Sequence, residues 1–244
     1  VVERDSSLLT RAAAFALVGA AVGTWFVVAP DAGRVTLWTA VAVVAAAVLP
    51  GTLLLVFVVL PLWSRPWQVA VGAAFVLGLV ALGCSVEGWG LAANFAKLWA
   101  AVFAGWAFLQ LFADLSWVVV VAVVVAVVDI VSVYSSAGPT HQIIKHHRQI
   151  YNDVAVAFFA PGGGAAQLGP PDILFYALFL AAAARWRLRP GWTWIATTGM
   201  YSFTIVLANA VDTNGLPALP FLSFGFLLAN ADLLWKRLKP QRTA

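Results

Sequence analysis

The sequence predicts an all-α polytopic membrane protein, a bundle of eight or nine transmembrane helices. Three observations carry this. Of the 244 residues, 63% are hydrophobic and 10% charged, with a mean hydropathy of +0.93. A soluble domain has too little interior to hide that much apolar surface. The apolar residues fall into runs close to the roughly 20 residues that cross a bilayer as a helix. The 12 Trp fit the belts that anchor helices at headgroup level.

Eight spans follow in order. The first covers residues 8–29. Its apolar run from Ala12 to Pro30 exceeds the roughly 7–15 residues of a signal-peptide core, so it reads as a span. Gly19 and Gly23 form a small-xxx-small pair, which predicts close helix packing. The second covers 35–62 and is interrupted by Pro50-Gly51. It is one kinked helix or two short ones, and the second case makes nine spans. The third to fifth cover 66–84, 90–112 and 115–136. A polar loop, 137–167, precedes the last three spans at 168–185, 191–209 and 215–236. Residues 1–112 thus read as an N-terminal scaffold and 113–244 as the half that carries the intramembrane acids.

With eight spans, Arg4, Arg11, Arg65, Arg185, Arg187, Arg189, Lys236, Arg237, Lys239 and Arg242 share one side. Arg34, Lys97, Lys145 and Arg148 lie on the other. The positive-inside rule then predicts a cytoplasmic C-terminus in a multi-pass protein of the cell (plasma) membrane, with 137–167 outside. Cations placed this way are topology signals and point to the lipid bilayer, not to nucleic acid. The single Cys84 lies in an apolar run and forms no intrachain disulfide. His141, His146 and His147 are spaced wrongly for one helix face and lack a completing Cys or Glu, so no metal and no cofactor is expected. Gly162-Gly163-Gly164 reads as a flexible hinge; no Gly-Lys-Ser/Thr follows to make a phosphate loop.

An ionisable residue inside a span is costly and marks function by default. Asp129 lies in the fifth span, about 10 Å from its outer end at the helical rise. Asp172 lies about 6 Å into the sixth. The fifth span exits where the sixth enters, so both acids fall on one side at similar depth. Two close carboxylates share one proton; one then acts as general base on water while the other donates to a carbonyl oxygen. The plainer alternative is two unrelated acids, each satisfied by a helix end or water. Pro170 and Pro171 place Asp172 in a first helical turn, near the positive end of the dipole. In "NGLPALPFLSFGF" two prolines are expected to hold Leu216–Pro220 out of a helix, which is tolerated at membrane depth only where backbone is buried or lines a cavity. Asp212 and Asp114 read as loop or helix-start acids, and Asp232 as an interfacial acid near Lys236. Asn94, Lys97 and Gln110 carry no assigned role.

Together these segments resemble the presenilin and signal-peptide-peptidase family of intramembrane aspartyl proteases. That family carries an acid in "YD", a second in "GxGD" and a later "PAL", in that order on three helices. The matching positions here are Val128-Asp129, Gly169-Pro170-Pro171-Asp172 and Pro217-Ala218-Leu219, within residues 115–236. The resemblance implies a presenilin-like bundle and an endopeptidase whose catalytic residues are Asp129 and Asp172. It also implies a substrate contact surface of Gly169, Pro170, Pro171, Leu216, Pro217, Ala218 and Leu219. The substrate is then a transmembrane helix of another protein or a signal-peptide remnant. Once unwound, it pairs as a strand with backbone near Gly169 or Leu216. Two motif positions depart from the pattern: Val128 stands for the tyrosine and Pro171 for the second glycine. Tyr134 and Tyr176 are the candidate substitutes for the missing hydroxyl. Two other functions compete: a proton- or cation-coupled transporter, since paired acids and broken helices also serve there, and an inactive homologue that binds membrane helices.

Overall fold

The computed structural model describes residues 2–135, 153–211 and 216–238. Among them lie eight long helices. These are α1 (Val2–Val28), α2 (Leu37–Val58), α3 (Trp67–Val86), α4 (Gly90–Leu109), α5 (Leu115–Tyr134), α6 (Pro170–Arg185), α7 (Pro190–Ala210) and α8 (Leu219–Leu238). Two short strands, β1 (Val156–Phe159) and β2 (Ala165–Leu168), form an antiparallel hairpin just before α6. The segments carrying α1 to α5 are long and apolar enough to cross a membrane. The chain is therefore a helical membrane protein. The last three helices are shorter or more polar: α6 has 16 residues, and α7 and α8 are broken up by Thr, Ser and Asn.

The second span is a single stretch, and its irregularity has a cause. Val44–Val48 widen into a π-turn directly ahead of Pro50. Leu49 N–H reaches back five residues to the Val44 carbonyl. The next such bond would run from Pro50 to Ala45, and proline has no N–H. Ser202 of α7 meets the need, donating its hydroxyl to the Ala45 carbonyl at 2.6 Å. Ser202→Ala is expected to lower the unfolding free energy by about 1–2 kcal/mol, because a buried carbonyl loses its partner. Thermal unfolding in detergent measures this. Ser223→Ala serves as the control, since the buried Ser223 hydroxyl has no partner among the described residues.

The core centres on α6. From Tyr176 to Ala183 every residue is buried, the signature of a helix surrounded by others. It packs chiefly on α4, with α7 and α8 completing the sheath. The rings of Phe179 and Phe226 stack at 4.8 Å to bind α6 to α8. The α4 contact is closest at Gly105, where a built Cβ would stand 2.3 Å from the Leu174 carbonyl oxygen. The Gly19–Gly23 pair has no comparable role. A Cβ at Gly19 would meet only the Leu55 side chain at 3.9 Å, and one at Gly23 would meet nothing within 4 Å.

Consecutive helices reverse direction, which gathers their ends into two groups. At one end arginines serve the exposed carbonyls of helix C-termini, where positive charge also complements the dipole. Arg11 donates to Val58 of α2 at 3.2 Å and Arg185 to Leu109 of α4 at 3.0 Å. Arg237 donates to Trp186, just past α6. Asp232 belongs to this end, and its partner is Arg189, in a two-pronged pair with both bonds at 2.8 Å, not Lys236. Asn230 is buried there, accepting the Arg189 N–H at 3.0 Å and donating to Thr193 at 2.9 Å. Gln110 donates to the Arg65 carbonyl at 3.2 Å.

The hairpin sits at the opposite end. Its turn contains Gly162 and Gly163 with φ of +81° and +92°. Left-handed backbone of this kind suits glycine. The three glycines are thus the turn of a hairpin, closed by Ala160 N–H to Gly164 C=O at 2.7 Å, where the sequence suggested a flexible hinge. The three His, Lys145 and Asp212 lie outside the described residues.

Candidate active site

Asp129 sits five residues before the end of α5, on the hairpin's side of the bundle. Its helix is peripheral and packs mainly against α8. Val123, Val127, Val128 and Val131 are exposed, while Asp129 is half-buried. The carboxylate accepts the Leu219 N–H at 3.0 Å, and the Ala218 N–H also points to it. Those donors belong to the first turn of α8 and the residue before it. At a helix start they lack intrahelical partners, so a carboxylate finds both hydrogen bonds and a favourable dipole.

The broken segment before α8 is shorter than the two prolines suggested. Leu216–Ala218 are non-helical, but Leu219 and Pro220 already belong to α8. Proline is compatible with a first turn, because its missing N–H would have no acceptor there anyway. Pro217, Ala218 and Leu219 are buried and Leu216 half-buried.

Asp172 is the third residue of α6 and accepts the Gly169 N–H at 2.9 Å. In this it behaves as an ordinary helix-start acid. It also lies within electrostatic reach of Asp129. The two acids that are 43 positions apart in sequence are thus brought to one site, each tethered to a helix N-terminus. Both residues are half-buried, and the carboxyl of Asp172 is the more enclosed of the two. Pro170 is half-buried, and Pro171 beside Asp172 is exposed.

A tyrosine does reach this site, from a helix that the motifs leave out. Tyr201 of α7 is fully buried and donates its hydroxyl to the Asp172 backbone carbonyl at 2.6 Å. It also lies within electrostatic reach of both acids. Tyr176 stacks on the Tyr201 ring at 6.0 Å but shares its hydroxyl with Thr198, and Tyr134 is exposed. Val128 is 59% exposed, so a side chain at that position faces away from the bundle. Tyr201→Phe is expected to destabilise the chain by about 1 kcal/mol, the net worth of one buried hydrogen bond. A lower unfolding midpoint in detergent, with helix content retained, is the readout.

The hairpin feeds directly into Asp172 through Leu168 and Gly169. In an antiparallel pair, alternate residues turn their N–H and C=O towards the partner strand or away from it. Ala157 faces Gln167, and both backbone groups of Ala157 are taken by the Asn94 side chain, at 2.7 and 2.9 Å. Phe159, opposite Ala165, gives its carbonyl to the Trp25 indole at 2.9 Å. Ala157 and Phe159 therefore face away from β2. By the same alternation, Gln167 and Ala165 face away from β1. Among the described residues nothing pairs with that outer edge of β2. Gly169 itself offers no such groups: its N–H serves Asp172, and its carbonyl accepts from Asp172 and Ile173 in the helix start.

The described residues contain no cluster of three His, Cys, Asp or Glu with metal-binding geometry. The geometry gathers two acids, a buried tyrosine, backbone donors and a strand edge that is unpaired among the described residues. No family model matches the chain, and no curated protein matches it in sequence.

Proposed function

We propose that the chain is an intramembrane aspartyl endopeptidase of the presenilin and signal-peptide-peptidase type. The observation that carries this reading is the meeting of three distant segments. The Asp129 carboxylate is bound by the backbone of Leu219, with Asp172 within electrostatic reach. Chemically, the two acids share one proton. One takes a proton from water as its oxygen attacks the scissile carbonyl carbon. The other donates its proton to the carbonyl oxygen, giving a gem-diol. Collapse breaks the C–N bond, and the proton passes to the leaving amine.

The substrate is a transmembrane helix, unwound where it is cut. An extended stretch adds to the outer edge of β2 at Ala165 and Gln167, and continues towards the acids. Leu216, whose backbone has no partner among the described residues, flanks the other side. Gly169 supports the start of α6 in this scheme. In the membrane, all eight helices cross, with the arginine-capped end and the C-terminus in the cytoplasm and the acids nearer the outer face. The alternation of helix directions and the ten-to-four division of cations support that orientation. A C-terminal reporter active only outside the cytoplasm would sink it.

The test is cleavage by the purified chain in detergent of a labelled peptide of roughly 20 apolar residues with a central Gly-Pro break. Products are identified by mass spectrometry. No cleavage together with proton-driven solute uptake in liposomes makes the protein a transporter. Peptide binding without cleavage makes it a non-hydrolytic helix binder.

A further inference from the structure

Both strands of an isolated hairpin present an outer edge, and either can recruit a third strand. Here one edge is closed by side chains. Asn94 is 5% exposed and its amide imitates a neighbouring strand, accepting from and donating to the same residue, Ala157. Trp25 covers the next outward carbonyl, at Phe159. Further ties join the hairpin to the bundle. The Phe26 ring lies 5.6 Å from Phe95 and 5.3 Å from Phe159, linking α1, α4 and β1. Gly162 N–H donates to the Ala29 carbonyl at 3.0 Å. Lys97, three residues beyond Asn94 on α4, is within electrostatic reach of Asp153 ahead of β1.

We infer that Asn94 and Trp25 are positioning residues that set the register in which a substrate strand is presented to the acids. By filling the outer edge of β1 they leave β2 as the edge that is unpaired among the described residues, and hold it at a fixed distance from Asp172. This rests on the protease reading of the same site. Register matters because a strand shifted by one residue turns its other face to the site and moves the scissile bond by over 3 Å. Asn94 touches neither substrate nor reacting atoms; it acts through the hairpin.

Asn94→Leu keeps the branched shape, adds some bulk and removes both hydrogen bonds. Trp25→Phe keeps a ring and removes one. The result expected in Asn94→Leu is a roughly 10- to 100-fold loss in kcat/KM, mainly through KM. Mass spectrometry is expected to show cut positions spread by one or two residues. Trp25→Phe, the variant that preserves the packing best, is expected to show the same spread with a smaller loss. A lower yield of folded protein alone does not move the cut, so cut position separates register from stability.

Binding is read separately by hydrogen exchange in a chain bearing Asp129→Asn and Asp172→Asn. The same Gly-Pro peptide is expected to slow exchange at Ala165 and Gln167, and Asn94→Leu to abolish that protection. Unchanged cut positions in both variants overturn the inference. So does protection that survives Asn94→Leu, or no protection in the parent chain. If the wild-type chain cuts nothing yet the protection behaves as expected, the protease reading fails and the edge-closing role stands.

Discussion

Asp172→Asn and Asp129→Asn are each expected to abolish cleavage of the transmembrane peptide, with a loss of at least about 10³-fold. Asparagine is the informative replacement because it separates the two things these acids do. Its carbonyl oxygen still accepts the Gly169 N–H at position 172 or the Leu219 N–H at position 129, so both helix starts keep their hydrogen bonds. The amide is neither acidic enough to transfer a proton to a carbonyl oxygen nor basic enough to take one from water. Groups that act as one unit fail as one unit, so the double replacement is expected to be no worse than either single one. The measurement is the initial rate of product formation, beside unfolding curves that show the variants intact. Near-normal rates in Asp172→Asn would reduce that residue to an acid of a helix start. Equal loss in both variants is the result that two unrelated acids do not produce.

The parts of this site that were legible in the sequence are those encoded locally. An acid in a run of valines is visible because lipid makes it costly, and "PPD" announces a helix start. Alternation of spans was enough to place Asp129, Asp172 and the Pro217 segment on one side. What stayed hidden depends on partners distant in the chain. Asn94 and Ala157 are 63 positions apart, Tyr201 and Asp172 are 29, Ser202 and Ala45 are 157. Nothing in the residues around an Asn or a Tyr says which carbonyl it will find. The hairpin did leave a signal. "VAFF" and "AAQL" flank Pro-Gly-Gly-Gly, two short runs around a turn, inside a segment otherwise read as a polar loop. Glycine spacing misled for a related reason. A small-xxx-small pair marks close packing only where a partner helix lies opposite, and opposite Gly23 there is open space.

That contrast yields the second large effect, at Gly105. Gly105→Ala is expected to destabilise the bundle by about 3 kcal/mol or more, at or above the upper end of usual overpacking costs. The obstacle is backbone: the new methyl would lie 2.3 Å from the Leu174 oxygen, 3.1 Å from its carbonyl carbon and 3.2 Å from Ala177 Cβ. No side chain can rotate away to relieve this, so α4 and α6 must separate by about 1 Å to restore contact near the usual carbon–oxygen distance of roughly 3.3 Å. Leu174 is two residues beyond Asp172, so the same movement displaces the acid relative to Asp129. Activity is therefore expected to fall further than stability predicts, by up to about 10²-fold in the molecules that remain folded. Gly225→Ala, with 3.0 Å to the Ala196 carbonyl oxygen on the α7–α8 contact, is expected to cost less. Gly23→Ala is the matched control. It meets nothing, and alanine is the better helix former by roughly 0.5–1 kcal/mol, so it is expected to be neutral or slightly stabilising. Detergent unfolding midpoints ranked Gly23→Ala, Gly225→Ala, Gly105→Ala from highest to lowest would tie stability to the α4–α6 approach. A wild-type midpoint for Gly105→Ala would mean that the two helices are not packed this closely. The position of Asp172 would then lose its structural support.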